Sequence, residues 1–247
     1  MVRIIPSSVF IKDPVDVWNK EQTIGLAEHA VRVHAPAIPF DRRGEIILWD
    51  DYESPTQKYV SILGAGTINR SNDTSKFGDF STKIVTGSTL HDNSAIYYYT
   101  SDYRDSKIGA QISFASADST YSIWIVIRHY DGTNLRDYAL EYEKSSGELS
   151  VFSDGTKYTL SPAVEYKASI NNWGTLKFVI DIVNNENVRA LFFRKEFDLS
   201  SHPEPKSISS MPTEEPRLYI KFYYQAEEAA AKTGYLDNFI LTENEPA

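Results

Sequence analysis

The chain has 247 residues, no cysteine and a formal net charge of −9 at pH 7. That length suffices for one large all-β domain with its own core, and the lack of cysteine excludes disulfides, thiolate catalysis and cysteine-based metal centres. Acidity without a basic stripe argues against nucleic acid as a partner, and apolar runs far short of the roughly 20 residues a spanning helix needs argue against a membrane.

Residues 1–43 read as an arm rather than a domain. Pro6, Pro14, Pro36 and Pro39 punctuate it, each removing a backbone donor and disfavouring helix just before it. The stretch 21–33 predicts one short helix, with Ile24, Leu26, Ala27, Ala30, Val31 and Val33 on a loosely one-sided apolar face. This is too little apolar surface for an independent core. The arm is therefore expected to lie on the body or to reach a neighbouring subunit, through Trp18, Ile24, Leu26, Val31 and Phe40. Arg42-Arg43-Gly44 reads as the turn that ends it. No apolar stretch of the signal-peptide kind follows Met1, so the expected location is the cytoplasm until assembly.

From Glu45 onward the pattern becomes β. Ile46 to Trp49 reads as a strand, followed by an acidic turn at 50–55. Residues 80–86 alternate polar with apolar, and 94–100 carry the three tyrosines Tyr97, Tyr98 and Tyr99. Ile108, Ala110, Ile112 and Phe114 share one face, as do Ile123, Ile125 and Ile127, with Trp124, Val126 and Arg128 opposite. Asp131-Gly132 is a hairpin signal. It leads to a strand with Tyr138, Leu140 and Tyr142 on one face and Glu141 and Glu143 on the other. Turns follow at 145–147 and at Asp154-Gly155. Leu176, Phe178, Ile180 and Ile182 are in phase, and 188–193 pairs back after an Asn-rich turn. Residues 199–216 read as one long Ser/Pro-rich loop, 217–224 as a strand, 226–232 as a helix-prone excursion, and 234–242 as the last strand. About ten or eleven short strands at close spacing, with no βαβ alternation and no internal repeat, predict an all-β sandwich or barrel over 44–247.

Two segments carry a resemblance. One is Trp49-Asp50-Asp51-Tyr52-Glu53 with the later Gly78-Asp79-Phe80-Ser81-Thr82-Lys83-Ile84; the other is Gly234-Tyr235-Leu236-Asp237-Asn238-Phe239-Ile240-Leu241. Together they resemble the opening and closing strands of carbohydrate-binding-module and concanavalin-like jelly rolls, which lie side by side. The resemblance implies a two-sheet antiparallel jelly-roll sandwich. It also implies a structural calcium, held at the matching positions Asp51, Glu53 and Asp237. The join from Phe40 to Glu53 is similar to virion-associated proteins of tailed bacteriophages, which implies a structural role in a capsid or tail.

Calcium needs six to eight oxygens, which three carboxylates and nearby carbonyls would supply. The bland alternative is that Asp50 and Asp51 are solvated turn residues. Flat aromatic rings suit the apolar faces of sugars. Candidates are Tyr97, Tyr98, Tyr99, Trp124, Tyr130, Tyr138, Tyr142, Tyr223 and Tyr224, most of which are expected to be core or cross-strand partners. Trp124, Arg128 and Tyr130 stand out because they lie opposite the isoleucine face. Glu141 and Glu143 have the separation of a glycosidase pair, yet a solvated strand face is the favoured reading of them, and the histidines are scattered. No catalytic residue is assigned, and the chain is expected not to be an enzyme. The leading expectation is a virion-associated protein that assembles through its arm with other subunits in an oligomer or lattice. The alternative is a glycan-binding module acting through surface aromatics.

Overall fold

The computed structural model describes residues 43–100, 106–211 and 215–246. Among them, sixteen strands form two eight-stranded antiparallel sheets. The first sheet contains β1 (Glu45–Asp50), β3 (Thr67–Ser71), β4 (Ser81–Val85), β6 (Lys107–Ser116), β11 (Gly174–Asp181), β12 (Glu186–Phe192), β13 (Lys195–Asp198) and β16 (Thr233–Glu243). Its order is β13-β12-β11-β6-β16-β4-β3, with β1 also paired to β16. The second contains β2 (Val60–Leu63), β5 (Asn93–Thr100), β7 (Tyr121–Tyr130), β8 (Asn134–Glu143), β9 (Glu148–Ser153), β10 (Thr156–Ser161), β14 (Ser207–Ser210) and β15 (Arg217–Ala226). Its order is β10-β9-β8-β7-β15-β5-β2, with β14 on the edge of β8.

The period-two pattern dictates how the sheets meet. Ile112 and Phe114 of β6 and Leu176 and Phe178 of β11 point inward. They meet Ile125 and Ile127 of β7, Tyr138 and Leu140 of β8, and Ile220 and Phe222 of β15. Each such side chain contributes roughly 1.5–3 kcal/mol by leaving water. Tyr98 of β5 and Phe239 of β16 bridge the layers, with ring centroids 4.0 Å apart.

The segments behind the family resemblance do lie side by side: Asp50 of β1 is in register with Phe239, and Lys83 of β4 with Tyr235. The Asp154-Gly155 turn has φ of 46° and 72°, the paired left-handed conformation of a tight hairpin, which glycine accommodates without strain.

Several expectations need correction. The 226–232 stretch is not helical; β15 runs to Ala226 and bends lead into β16. The long loop at 199–216 contains β14, and β2, β3 and β13 were not foreseen. The arm, including the expected helix at 21–33 and Trp18, Ile24, Leu26, Val31 and Phe40, lies outside the described residues. No helix among the described residues is long and apolar enough to cross a membrane.

Candidate functional site

The two outer faces differ. On the first sheet, Gln111, Ser113, Thr175, Lys177 and Arg189 point away from the core, yet each is 2% exposed or less. Two segments cover them. Lys76, in the loop before β4, donates from Nζ to Ser113 Oγ at 2.9 Å and to Thr175 Oγ1 at 2.8 Å. Glu245, beyond β16, accepts from Lys177 Nζ at 2.5 Å and from Arg189.

The second sheet carries a row of half-exposed rings instead. Alternation along β15 turns Tyr219, Lys221 and Tyr223 outward while Leu218, Ile220, Phe222 and Tyr224 are buried. Tyr223 stands opposite Trp124 of β7, and Tyr219 opposite Tyr99 of β5 and Arg128 of β7. Tyr99 is 52% exposed; its ring meets Tyr219 edge-on at 4.9 Å and stacks along its own strand on Tyr97 at 6.2 Å. Trp124 stacks on Phe152 of β9 at 4.9 Å. The Trp124 indole N–H has no hydrogen-bond acceptor among the described residues.

Cations are set among these rings. Lys221 Nζ lies 3.5 Å from the Tyr223 centroid and 4.7 Å from that of Tyr97. Lys206, in the connection before β14, places Nζ 5.2 Å from the Trp124 ring and 5.0 Å from Phe152. Arg128 forks onto Asp137, with Nε to Oδ1 at 2.7 Å and a second bond at 2.8 Å. Burial, then the Arg128 charge, lowers the Lys221 pKa to about 8.

The sequence-predicted glycan residues divide. Trp124 and Arg128 lie on this face as expected. Tyr130 does not offer a surface ring: it is 1% exposed. The chain folds over that end of β7, where Met211 N–H donates to the Thr133 carbonyl and Pro216 approaches Gly132. Of the other tyrosines, Tyr98, Tyr138, Tyr142 and Tyr224 are core residues.

Asp51, Glu53 and Asp237 are not gathered into a calcium cage. Among the described residues no group of three or more carboxylates or histidines is placed to hold a metal. Glu53 Oε1 instead accepts the N–H groups of Asp79 and Phe80, each at 2.8 Å. Asp237 Oδ2 accepts those of Lys76 and Phe77, at 2.6 and 3.0 Å. Asp51 Oδ1 accepts the Glu53 N–H. The carbonyls of Tyr52 and Glu53, which a hard cation would want, accept from the Arg70 guanidinium at 2.9 and 2.6 Å. Glu53 and Asp237 anchor the loop before β4. Asn238, at φ 54° in the β16 bulge, accepts from Trp49 Nε1 at 2.6 Å.

Glu141 and Glu143 share the outer face of β8, but Lys157 bridges them at 2.9 and 3.6 Å, and burial raises the Glu141 pKa. Of the histidines, His129 is buried, His202 stacks on Tyr158, His91 faces Glu227, and His29 and His34 lie outside the described residues.

Sequence reasoning missed Tyr219, Lys221, Asp137, Phe152 and Lys206. The alternation Tyr219-Lys221-Tyr223, opposite in phase to Ile220 and Phe222, was the available signal.

No family model matches the chain, and no curated protein matches it. Among solved structures it is similar to the cellulose-induced protein Cip1, with a TM-score of 0.52 and 11% identity over 79% of this chain and 96% of that one. It is also similar to an endo-β-1,4-glucuronan lyase from the fungus Trichoderma reesei, with a TM-score of 0.54 and 10% identity over 80% and 95% of the two chains. The domain has a two-sheet jelly-roll fold like theirs. A xylan-binding CBM22-1 domain from Paenibacillus barcinonensis Xyn10C matches with a TM-score of 0.42 and 13% identity, covering 83% of this jelly roll's chain and 98% of its own.

Proposed function

We propose that this jelly roll is a glycan-binding domain that takes a carbohydrate chain across the outer face of its second sheet. The observation that carries the reading is the contrast between the two faces. The first sheet is roofed over by polar contacts, while β5, β15 and β7 hold Tyr99, Tyr219, Tyr223 and Trp124 in one half-exposed surface, with Tyr97 buried beneath its edge. Large rings cost free energy in water, and clustered exposed rings mark interaction surfaces. Flat rings with polar neighbours match sugars, which are apolar on one face and hydroxylated at the edge. Glu141 and Glu143 share one lysine on one strand, so the face is read as binding and not as hydrolytic.

The arm-based virion reading rests on residues outside the described part of the chain and has no support from this face. The test is a polysaccharide panel read by affinity electrophoresis, with Tyr223→Ala beside the parent chain. Retardation that Tyr223→Ala weakens supports the reading. Absence of retardation by every polysaccharide, or product release that shows turnover, overturns it.

A further inference from the structure

The chain is acidic overall, at −9, yet the glycan face gathers cations. Lys221, Arg128 and Lys206 all come from different strands or loops, and the charges of Arg128 and Lys206 both act on Lys221. The nearby carboxylate, Asp137, has both oxygens engaged by Arg128. Lys221 and Lys206 contact ring faces rather than carboxylates among the described residues. A ring face satisfies an ammonium on one side and leaves its other protons to solvent or to a ligand.

A neutral sugar gains little from such an arrangement. Asp137 already offsets Arg128, so the ammonium groups of Lys221 and Lys206 remain as net positive charge beside the rings, which an incoming anion would offset. Placed between stacking rings, they match a sugar that carries its charge at the ring edge. We propose that the face is specific for an anionic glycan, whose carboxylate or sulfate groups are received by Lys221, Arg128 and Lys206 while Tyr223 and Trp124 stack on its rings. This rests on the glycan-binding reading above and narrows it to a substrate class. The spread of the cations across β7, β15 and the connection before β14 means that successive charged residues of one chain would be met in turn.

The experiment uses four probes of similar length: polygalacturonate for carboxylate, dextran sulfate for sulfate, neutral dextran, and oligo(dT) as a polyanion without sugar-ring stacking faces of this kind. Binding to the full chain is measured by titration calorimetry at low and high salt. The expected result is at least ~10-fold tighter binding of one or both acidic glycans than of neutral dextran, reduced by salt. Lys221→Gln is expected to remove most of that preference, and Lys206→Gln part of it should Lys221→Gln fail to fold. Lys167→Gln, an exposed cation in the β10–β11 connection, is the control and should change nothing. Which acidic probe binds decides between carboxylate and sulfate. Equal binding of neutral and acidic glycans, or a preference that survives both lysine substitutions, overturns the anionic specificity and leaves the glycan reading standing. Binding to no glycan overturns both, and oligo(dT) binding tighter than every glycan assigns the cations to nucleic acid.

Discussion

The Lys221 ammonium stands 3.5 Å from the centre of the Tyr223 ring, two residues along the same strand. Strand alternation puts both on the outer face, and the pairing of β15 with β5 and β7 brings Tyr97 and Arg128 to the same place. A cation so placed is half withdrawn from water and beside like charges, so it gives up its proton more easily than an ordinary lysine.

That predicts a pH dependence of binding. The groups around Lys221 are Arg128 from β7, Asp137 from β8, Tyr97 from β5, Tyr223 from its own strand and Lys206 from the connection before β14. With the free-state pKa near 8, the protonated form is present below that value and is the form an anion favours. Affinity for an acidic glycan should be level below about pH 7 and fall as pH rises through about 8. Calorimetry from pH 6 to 9 checks this, and in Lys221→Gln the curve should be flat.

The rings should matter for binding more than for stability. Tyr223→Ala and Trp124→Ala are each expected to weaken glycan binding about 10-fold, near 1.4 kcal/mol. Trp124→Ala should also cost roughly 0.5–1.5 kcal/mol of stability through its stack on Phe152. Tyr99, more exposed at the edge of the row, should have a smaller effect. Affinity and urea midpoints measured on the same preparations separate the two quantities.

Much of the fold was legible in the sequence because buried faces impose alternation. The in-phase sets at Ile123 to Ile127, Tyr138 to Tyr142 and Leu176 to Ile180 all became core. Two of the missed strands had no such pattern: β14 is exposed along its whole length and β13 nearly so. Their pairing comes from neighbouring edges, not from their own side chains. The site was legible in part. Alternation correctly turned Trp124 and Arg128 outward, but it says only which way Tyr130 points, not what folds over it. What the sequence does not reveal about the acidic triad is that Asp237 and Glu53 accept backbone N–H groups of the loop before β4.

Asp237 makes the fold sensitive to pH. Its side chain is buried, and desolvation raises its pKa to about 7 despite the N–H donors of Phe77 and Lys76. The unfolded carboxyl titrates near 3.9. Between those values the native state holds a proton that the unfolded chain has released. Stability should therefore fall as pH rises from about 4 to about 7, by up to about 4 kcal/mol, and level off above. Asp237→Asn should flatten that stretch of the urea-midpoint profile; an unchanged slope would mean that another group is responsible.

Glu245 closes the first sheet. It joins Lys177 and Arg189, both 2% exposed or less. Glu245→Gln leaves these two buried cations without its charge and is expected to cost about 3 kcal/mol, seen as a lowered urea midpoint with glycan affinity unchanged.

Calcium should not stabilise the domain. Arg70 already occupies the carbonyls of Tyr52 and Glu53, so melting temperatures in chelator and in millimolar calcium should agree within about 1 °C. Arg70→Ala, by contrast, should lower the melting temperature. A calcium-dependent rise of several degrees would show that the loop before β4 rearranges to bind the ion.

The most direct measurement follows the Trp124 indole N–H by nuclear magnetic resonance while an acidic oligosaccharide is added. The indole lies within the proposed face and has no acceptor among the described residues. A saturable shift of that resonance, lost in Lys221→Gln, is the result predicted here. A glycan that binds while the Trp124 resonance stays still, with shifts confined to the first sheet, would contradict the assignment of this face.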